Sequence, residues 1–271
     1  MHVRHEIQRL ANRFGYRIER QIPSDIDSAT ADTIRRVAPH TMSSPQAIAA
    51  LCAATEYVVK ADLPGDFVEC GVWQGGSMMA VALTLQRLGA GDRVLWLYDT
   101  YAGMAAPTDV DVRILDGATP APDFASGFRA DGTHRWACAA LNVVEDNMGS
   151  TGYDGRRVRF VPGLVEATLP ACAPEQIALL RLDTDFHDST RHELEHLYPR
   201  LTRGGVLVVD DYGSWHGVQK AVDDYFAGQP LHLVRVDPTV RVALKPGGMQ
   251  YRSVRTSLRQ SPGLIAALDD D

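Results

Sequence analysis

The chain has 271 residues, of which 45% are hydrophobic and 23% charged, a balance that is typical of globular proteins and excludes a disordered chain. Acidic residues outnumber basic ones by 34 to 27, giving a formal net charge of -7, which argues against a nucleic-acid-binding surface. The sequence contains no apolar run of about 20 residues, and residues 1–20 form an amphipathic pattern without the apolar core of a signal peptide. We therefore expect a cytoplasmic protein that acts on a small molecule, without a nucleic-acid or membrane partner.

The chain is expected to divide into an N-terminal helical segment, residues 1–65, and an α/β domain, residues 66–271. The clearest helical pattern in the first part is SPQAIAALCAATEYVVKADL, and Ser43 or Ser44 is a suitable N-cap before Pro45. This segment could cap an active site, form an oligomer interface, or do both.

Short apolar runs alternate with helical patterns from Asp66 onward, which predicts a mostly parallel sheet covered by helices on both faces. The runs are DFVECGV, RVLWLYDT, RRVRFVPG, IALLRLDTD and GGVLVVDDYG. LHLVRVD and VRVALKP follow with only a tight turn between them, so the last strand must be antiparallel to its neighbour. We therefore predict a doubly wound α/β fold with one reversed strand.

The segment between Asp99 and Arg156 is long and rich in Gly, Ala, Pro and Asp, which favours a lid or binding loop over a simple connection. Within it, WACAALNVVEDNM has a helical pattern. A solvated excursion is the alternative for part of this segment.

A glycine-rich turn follows the first predicted strand in DFVECGVWQGGSMM, where open sheets bind ligands. Its glycines, Gly71, Gly75 and Gly76, depart from the G-x-G-x-x-G order of dinucleotide sites, and Glu69 would place an anion beside a pyrophosphate. S-adenosylmethionine has an ammonium and a sulfonium instead of a phosphate and suits such a carboxylate better. The alternative is a tight turn that begins a helix, with Ser77 in its first turn.

Asp99 ends the second predicted strand, where an acid can pair with the diol of a ribose, and Thr100 follows it. The alternative for Asp99 is a solvated strand end or a helix cap. Together with Glu69, Asp99 favours a nucleoside-containing ligand.

Acidic residues also end two later strands, in LLRLDTDFHDS and GGVLVVDDYG. Asp183, Asp185, Asp210 and Asp211 should meet at one sheet edge, where like charges raise one another's pKa unless a cation neutralises them. Mg²⁺ is the natural candidate, since it prefers carboxylate oxygens and can acidify a bound hydroxyl. Helix capping is the alternative, and we favour it for Asp188.

Two histidines near these aspartates are ambiguous. His187 is either a partly exposed loop residue or a catalytic base or substrate contact beside Asp185. His216 begins a predicted helix, and the same two interpretations apply to it.

Four motifs resemble the macrocin and mycinamicin O-methyltransferases, the TylF/MycF-like family that methylates sugar hydroxyls of natural products. These are FVECGVWQGGS, LYDTYAGM, LLRLDTDFHDST with LYPRLTRGG, and VLVVDDYGSWHGVQKAVDDY. The resemblance extends from about Asp66 to the end of the last motif. Thr184 stands where the family usually has glycine, and His187 where a large residue such as tyrosine is common. Both are expected to line the acceptor side of the site.

The resemblance implies a class I methyltransferase fold with a seven-stranded sheet, S-adenosylmethionine as donor, Mg²⁺ dependence, a glycosylated small-molecule acceptor, and a homodimer or larger homo-oligomer. Position by position, it implies that Asp185 is the general base. The implied metal ligands are Asp183, Asp210 and Asp211. The residues expected to bind the donor are Glu69, Gly71, Gly75, Ser77, Asp99 and Thr100.

Three other functions are compatible with parts of the pattern. A catechol-type O-methyltransferase acting on a small aromatic diol would use the same fold, donor and ion. A nicotinamide-dependent oxidoreductase is disfavoured by Glu69 and by the lack of a Tyr-x-x-x-Lys pattern. A non-catalytic sensor that binds the donor is the third, and the presence of Asp185 argues against it.

Overall fold

The computed structural model describes residues 21–229 and 231–247. The amphipathic helix predicted within residues 1–20 and the end of the predicted 66–271 domain lie outside the described residues. Helices and strands are numbered here from the first described residue. Among the helices of the described ranges, none combines the length and the apolar character that a membrane span requires.

A seven-stranded sheet forms the centre of the molecule, with the strand order β3-β2-β1-β4-β5-β7-β6. β1 to β5 pair in parallel, and β7 is antiparallel to both β5 and β6. The sheet confirms the predicted doubly wound α/β fold with its reversed last strand. The strands are β1 Asp66–Cys70, β2 Leu95–Asp99, β3 Val158–Pro162, β4 Ile177–Leu182, β5 Leu201–Val209, β6 Val234–Arg235 and β7 Arg241–Leu244.

Helices cover both faces of the sheet. They are α1 Ser28–Val37, α2 Pro45–Lys60, α3 Gly76–Arg87, α4 Ala121–Ala125, α5 Leu141–Ser150, α6 Val165–Thr168, α7 His187–Leu197 and α8 His216–Tyr225. Of the two predicted caps of α2, Ser44 takes the role, because its hydroxyl accepts a 3.0 Å hydrogen bond from the Ala47 amide.

Two helix boundaries differ from the sequence-based expectation. α5 begins at Leu141 and not at Trp136, because Ala137 has a φ of 48° and the Trp136 ring packs against other aromatic rings. α7 begins at His187, so Asp188 lies in its first turn and does not cap it.

The hydrophobic core has two halves, one on each face of the sheet. Successive strand residues point to opposite faces, so Phe67 belongs to one half and Val68 to the other. Ile34 of α1 and Leu51 of α2 pack in the same half as Phe67. The described N-terminal helices therefore share the core of the sheet, and the boundary predicted at residue 65 stays a prediction.

The carboxyl ends of the parallel strands lie along one edge of the sheet. Because β7 is antiparallel to β5, Arg241 at its start pairs with Val209 at the end of β5. The turn between β6 and β7 therefore reaches the same edge.

Candidate active site

A cavity of about 540 Å³ lies at the carboxyl edge of the sheet, large enough for a nucleoside-containing ligand and part of a second molecule. Its walls come from the turn after β1, the ends of β2, β4 and β5, and the long loop after β2. Residues 40–44 and the β6–β7 turn at 237–239 complete it. Of the predicted residues, Gly71, Ser77, Asp99, Thr100, Asp183, Asp185, Asp210 and Asp211 line it, whereas Glu69, Gly75 and His187 do not.

The turn after β1 depends on close backbone packing at Gly71. Gly71 has a φ of 80°, and a Cβ there would lie 2.0 Å from the carbonyl oxygen of Asp183. Only glycine therefore lets the ends of β1 and β4 approach this closely. Gly75 is the N-cap of α3 with a φ of 85°, and its Cβ position faces Val144 of α5.

Asp99 holds the turn after β1 in place. Its carboxylate accepts hydrogen bonds from the amides of Val72 at 2.8 Å, Trp73 at 3.0 Å and Tyr101 at 2.7 Å. Burial nevertheless raises the pKa of Asp99 above its ordinary value. The neighbouring Thr100 hydroxyl donates to the Gly103 carbonyl.

Glu69 is buried outside the cavity lining and forms a buried ion pair with Arg181. Burial raises the pKa of Glu69 to about 7, against the opposing charge of the guanidinium. One of its carboxylate oxygens, Oε2, has no hydrogen-bond partner among the described residues. The structure thus pairs Glu69 with Arg181, and its predicted contact with the donor is untested.

The buried guanidinium of Arg181 forms ion pairs with acidic residues at the ends of three strands. It donates to Glu69, to Asp183 and to Asp210, and also to the Ser43 hydroxyl at 3.0 Å. This positive charge at the end of β4 is the counterion of the acidic edge.

Asp183, Asp185 and Asp211 bring one carboxyl oxygen each to within 4.8 Å of one another. Asp185 and Asp211 are aimed by left-handed backbone, with φ values of 68° and 58°. Burial raises the pKa of Asp183 well above its ordinary value despite the charge of Arg181. Burial also raises the pKa of Asp185 to about 6, and burial together with the nearby Asp185 raises the pKa of Asp211 well above its ordinary value.

Asp210 stands beside this cluster and is held by other groups. In addition to Arg181, its carboxylate accepts a hydrogen bond from the Thr239 hydroxyl at 3.2 Å and from the Asp211 amide at 2.9 Å. The cluster of three carboxylates therefore contains Asp185, the predicted base, and not Asp210, a predicted metal ligand. The division into ligands and base stays a prediction.

His187 does not line the cavity. Its ring nitrogen Nδ1 lies 2.8 Å from the Asp188 carboxylate, and its amide donates to the buried Asp111 carboxylate at 2.8 Å. Thr184, the departure from the family motif, does line the cavity, and its hydroxyl donates to Glu193 at 2.9 Å.

An aromatic wall, formed by Trp136, Phe186 and Trp215, stands beside the aspartates. The centroids of the three rings are 5.7 to 6.1 Å apart, and the two tryptophans line the cavity. The loop that carries Trp136 is ordered by His134, which stacks on Phe124 at 4.7 Å. The predicted lid segment therefore contributes a wall of the site.

Sequence reasoning missed Arg181, the β6–β7 turn and the two tryptophans as parts of this site. One signal was available for the turn, because an antiparallel last strand has to begin at the edge where the parallel strands end. Arg181 also carried a signal, since a charged residue in the run IALLRL needs a buried counterion.

Comparison with known proteins places the chain in one family. The family model for macrocin O-methyltransferase (TylF) matches residues 7–240. The demethyldecarbamoylnovobiocin O-methyltransferase of Streptomyces niveus is 32% identical over 191 residues, covering 69% of this chain and 68% of that protein. The mycinamicin III 3''-O-methyltransferase of Micromonospora griseorubida is 31% identical over 173 residues, covering 64% and 65%.

Solved structures agree with the fold. The O-methyltransferase NovP is 30% identical with a TM-score of 0.64, and the match covers 77% of this chain and 83% of that one. A calicheamicin methyltransferase, 18% identical with a TM-score of 0.56 over 84% and 99% of the two chains, shares the fold. With a class I methyltransferase fold and this site at its carboxyl edge, the chain belongs to the macrocin O-methyltransferase (TylF) family and is an O-methyltransferase.

Proposed function

We propose that this chain is a cytoplasmic enzyme that transfers a methyl group from S-adenosylmethionine to a sugar hydroxyl of a glycosylated natural product, with the help of Mg²⁺. The observation that carries this proposal is the juxtaposition, in one cavity, of the Gly71 turn with Asp99 and of three clustered carboxylates. The relatives named above are, by their names, O-methyltransferases of the natural products novobiocin and mycinamicin.

The donor half of the cavity comprises the turn after β1 and the end of β2. Gly71 lets the turn after β1 pack against the end of β4 and lines the cavity, while Asp99 keeps acceptor capacity for a diol beyond its three amide bonds. Ser77 and Thr100 add hydroxyls to the lining. In this proposal Glu69 does not contact the donor directly. It acts by pairing with Arg181, which holds Asp183 and Asp210.

The acidic half fits a hard divalent cation. Carboxylate oxygens are the ligands that Mg²⁺ prefers. Burial and the neighbouring acids raise the pKa values of Asp183 and Asp211 well above the ordinary value, and a bound cation would oppose that shift. Asp183 and Asp211 of the cluster and the adjacent Asp210 would hold the ion, whereas Asp185, the third member of the cluster, would stay free of it. When bound, Mg²⁺ supplies the charge that makes a substrate hydroxyl more acidic.

Asp185 is the proposed general base. Its pKa of about 6 leaves it ionised at neutral pH yet more basic than an ordinary aspartate, which suits proton abstraction. The remaining residues position the two substrates, and positioning provides much of the acceleration because no covalent enzyme intermediate is needed.

The acceptor would enter between the aspartates and the aromatic wall. The apolar faces of sugar rings and aglycones pack well on tryptophan, which supports Trp136 and Trp215 as acceptor contacts. The same wall would also accept the small aromatic diol of a catechol-type reaction, so competition between a glycosylated acceptor and a catechol separates the two candidates. Oligomerisation remains a prediction, which light scattering on purified protein would test.

Titration calorimetry with S-adenosylhomocysteine and then Mg²⁺, followed by single-turnover methylation, tests the proposal. Asp185→Asn should keep product binding but lose turnover by about 10²- to 10⁴-fold, and Asp210→Asn should weaken the Mg²⁺ signal. Asp224→Asn, which removes an exposed acid from α8, is the matched control. Failure of the wild type to bind S-adenosylhomocysteine would contradict the donor assignment, and full activity without divalent cation would contradict the role of Mg²⁺.

A further inference from the structure

The second half of α7 carries a cluster of metal-binding side chains that the proposed reaction does not use. His192, Glu195 and His196 are spaced i, i+3 and i+4, so they share one face of the helix. Each brings one ligand atom to within 4.8 Å of the others, and the two imidazole centroids are 4.3 Å apart. We call these three residues the α7 cluster.

The α7 cluster is separate from the acidic cluster of the active site. α7 begins at His187, at the carboxyl edge, and runs back along the sheet. At about 1.5 Å per residue, His192 and His196 lie roughly 8 and 14 Å along the helix axis from that start. Neither histidine lines the cavity. An ion at the α7 cluster would therefore not be the ion of the reaction.

The ligand types of the α7 cluster select a different class of metal. Two imidazoles with one carboxylate suit Zn²⁺ and its first-row neighbours, whereas Mg²⁺ prefers oxygen alone. Nε2 of His192 lies 3.4 Å from the carbonyl oxygen of Leu169. In the tautomer with the proton on Nε2, Nδ1 keeps its lone pair for an ion, and such a backbone contact is usual for metal-binding histidines.

The sequence of this turn, HELEH, also matches the H-E-x-x-H pattern of zinc proteases. In that chemistry the glutamate after the first histidine activates a water. Here Glu193 is fully buried, and its carboxylate accepts a hydrogen bond from the Thr184 hydroxyl. The geometry therefore favours a binding site over a hydrolytic centre.

One existing contact competes with an ion. Glu195 pairs with Arg191 at 2.8 Å, and the two side chains are 43% and 50% exposed. Exposed pairs of this kind are weak, so an ion held by two imidazoles can replace Arg191 as the partner of the carboxylate. His192 and His196 are half-buried, which leaves them accessible to an ion from solvent.

We propose that His192, Glu195 and His196 form a second metal site, specific for a first-row transition ion such as Zn²⁺. The ion clamps successive turns of α7. Because the unfolded chain lacks this arrangement, binding stabilises the fold by linkage. Since α7 begins directly after the Asp183–Asp185 loop, the ion would fix the helix that supports the catalytic edge.

The test is zinc titration of tag-free, full-length protein by calorimetry, in excess Mg²⁺, with thermal unfolding as a second readout. His192→Gln and His196→Gln should each weaken zinc binding more than tenfold and remove the zinc-dependent rise in Tm. Glu195→Gln should have a smaller effect in the same direction. His232→Gln, which removes an exposed histidine elsewhere, is the matched control and should bind zinc as the wild type does.

Three outcomes would overturn the proposal. These are a wild type that binds no zinc, equal affinity in the wild type and both histidine variants, and loss of binding in only one of the two variants, because a clamp needs both imidazoles. The test is independent of the proposed reaction, since binding and Tm are measured without donor or acceptor.

Discussion

Arg181 and Glu69 face each other directly across the β4–β1 pair and form a buried ion pair, with 3% and 1% of their side chains exposed. The same guanidinium reaches Asp183 and Asp210. The counterion of the catalytic acids is therefore part of the sheet itself, where β4 and β1 fix its position.

We expect Arg181→Met to lower the free energy of unfolding by about 3–5 kcal/mol, because it leaves several buried acids without their cation. Urea unfolding measures this. Adding Glu69→Gln in the same chain should recover part of the loss. Arg87→Met, which breaks a partly exposed pair with Glu56, should cost at most about 1 kcal/mol. Equal losses in the two single arginine variants would contradict the assigned role of Arg181.

Gly71→Ala should destabilise the protein by at least about 1–3 kcal/mol, since the new methyl group meets the Asp183 carbonyl in a left-handed backbone conformation. Gly91→Ala is the matched control, because no atom lies within 4 Å of its Cβ position. Thermal unfolding of both variants measures the difference. Equal Tm values of the two variants would contradict this prediction, because they would mean that the ends of β1 and β4 can move apart without loss of stability.

Trp136→Ala should raise the KM for the acceptor about tenfold, as expected for loss of one aromatic contact, and leave the affinity for S-adenosylhomocysteine nearly unchanged. Initial rates and calorimetry provide the two readouts. Leu115→Ala, which removes a side chain that is 89% exposed on the same loop, should change neither. A loss of donor-product affinity in Trp136→Ala would assign the residue to the donor side.

Glu193→Gln should make the fold more stable than the wild type at neutral and alkaline pH, with the advantage vanishing below about pH 4.5. Burial raises the pKa of Glu193 well above its ordinary value of 4.5, so the folded state holds a proton that the unfolded chain releases. Wild-type stability therefore falls as pH rises through this window, while glutamine cannot ionise. Urea unfolding at several pH values checks this, and an advantage that does not change with pH would contradict it.

The ends of the strands show which part of the site can be predicted from short stretches of the sequence. Apolar runs that alternate with helical patterns predict β2, β4 and β5. The residue that follows a parallel strand must lie at the carboxyl edge of the sheet. Asp99, Asp183 and Asp210 could thus be located by sequence, because each of them comes at the end of such an apolar run. The antiparallel direction of β7 was also predictable, because its connection to β6 is too short for a helical crossover.

The partners of those acids could not be located in this way. Arg181 contacts Glu69, which is 112 residues away in the sequence. Trp136 belongs to a stretch with a helical pattern, but it lies outside the helix and packs against Trp215. His187 has a side chain that could act in catalysis, yet it lies at the start of α7 and does not line the cavity. By itself, the sequence determined the fold class and the edge at which the acids gather, because period and connection length are local properties. Only the tertiary structure decided which charges and rings meet there, because those contacts depend on the packing of segments distant in the chain.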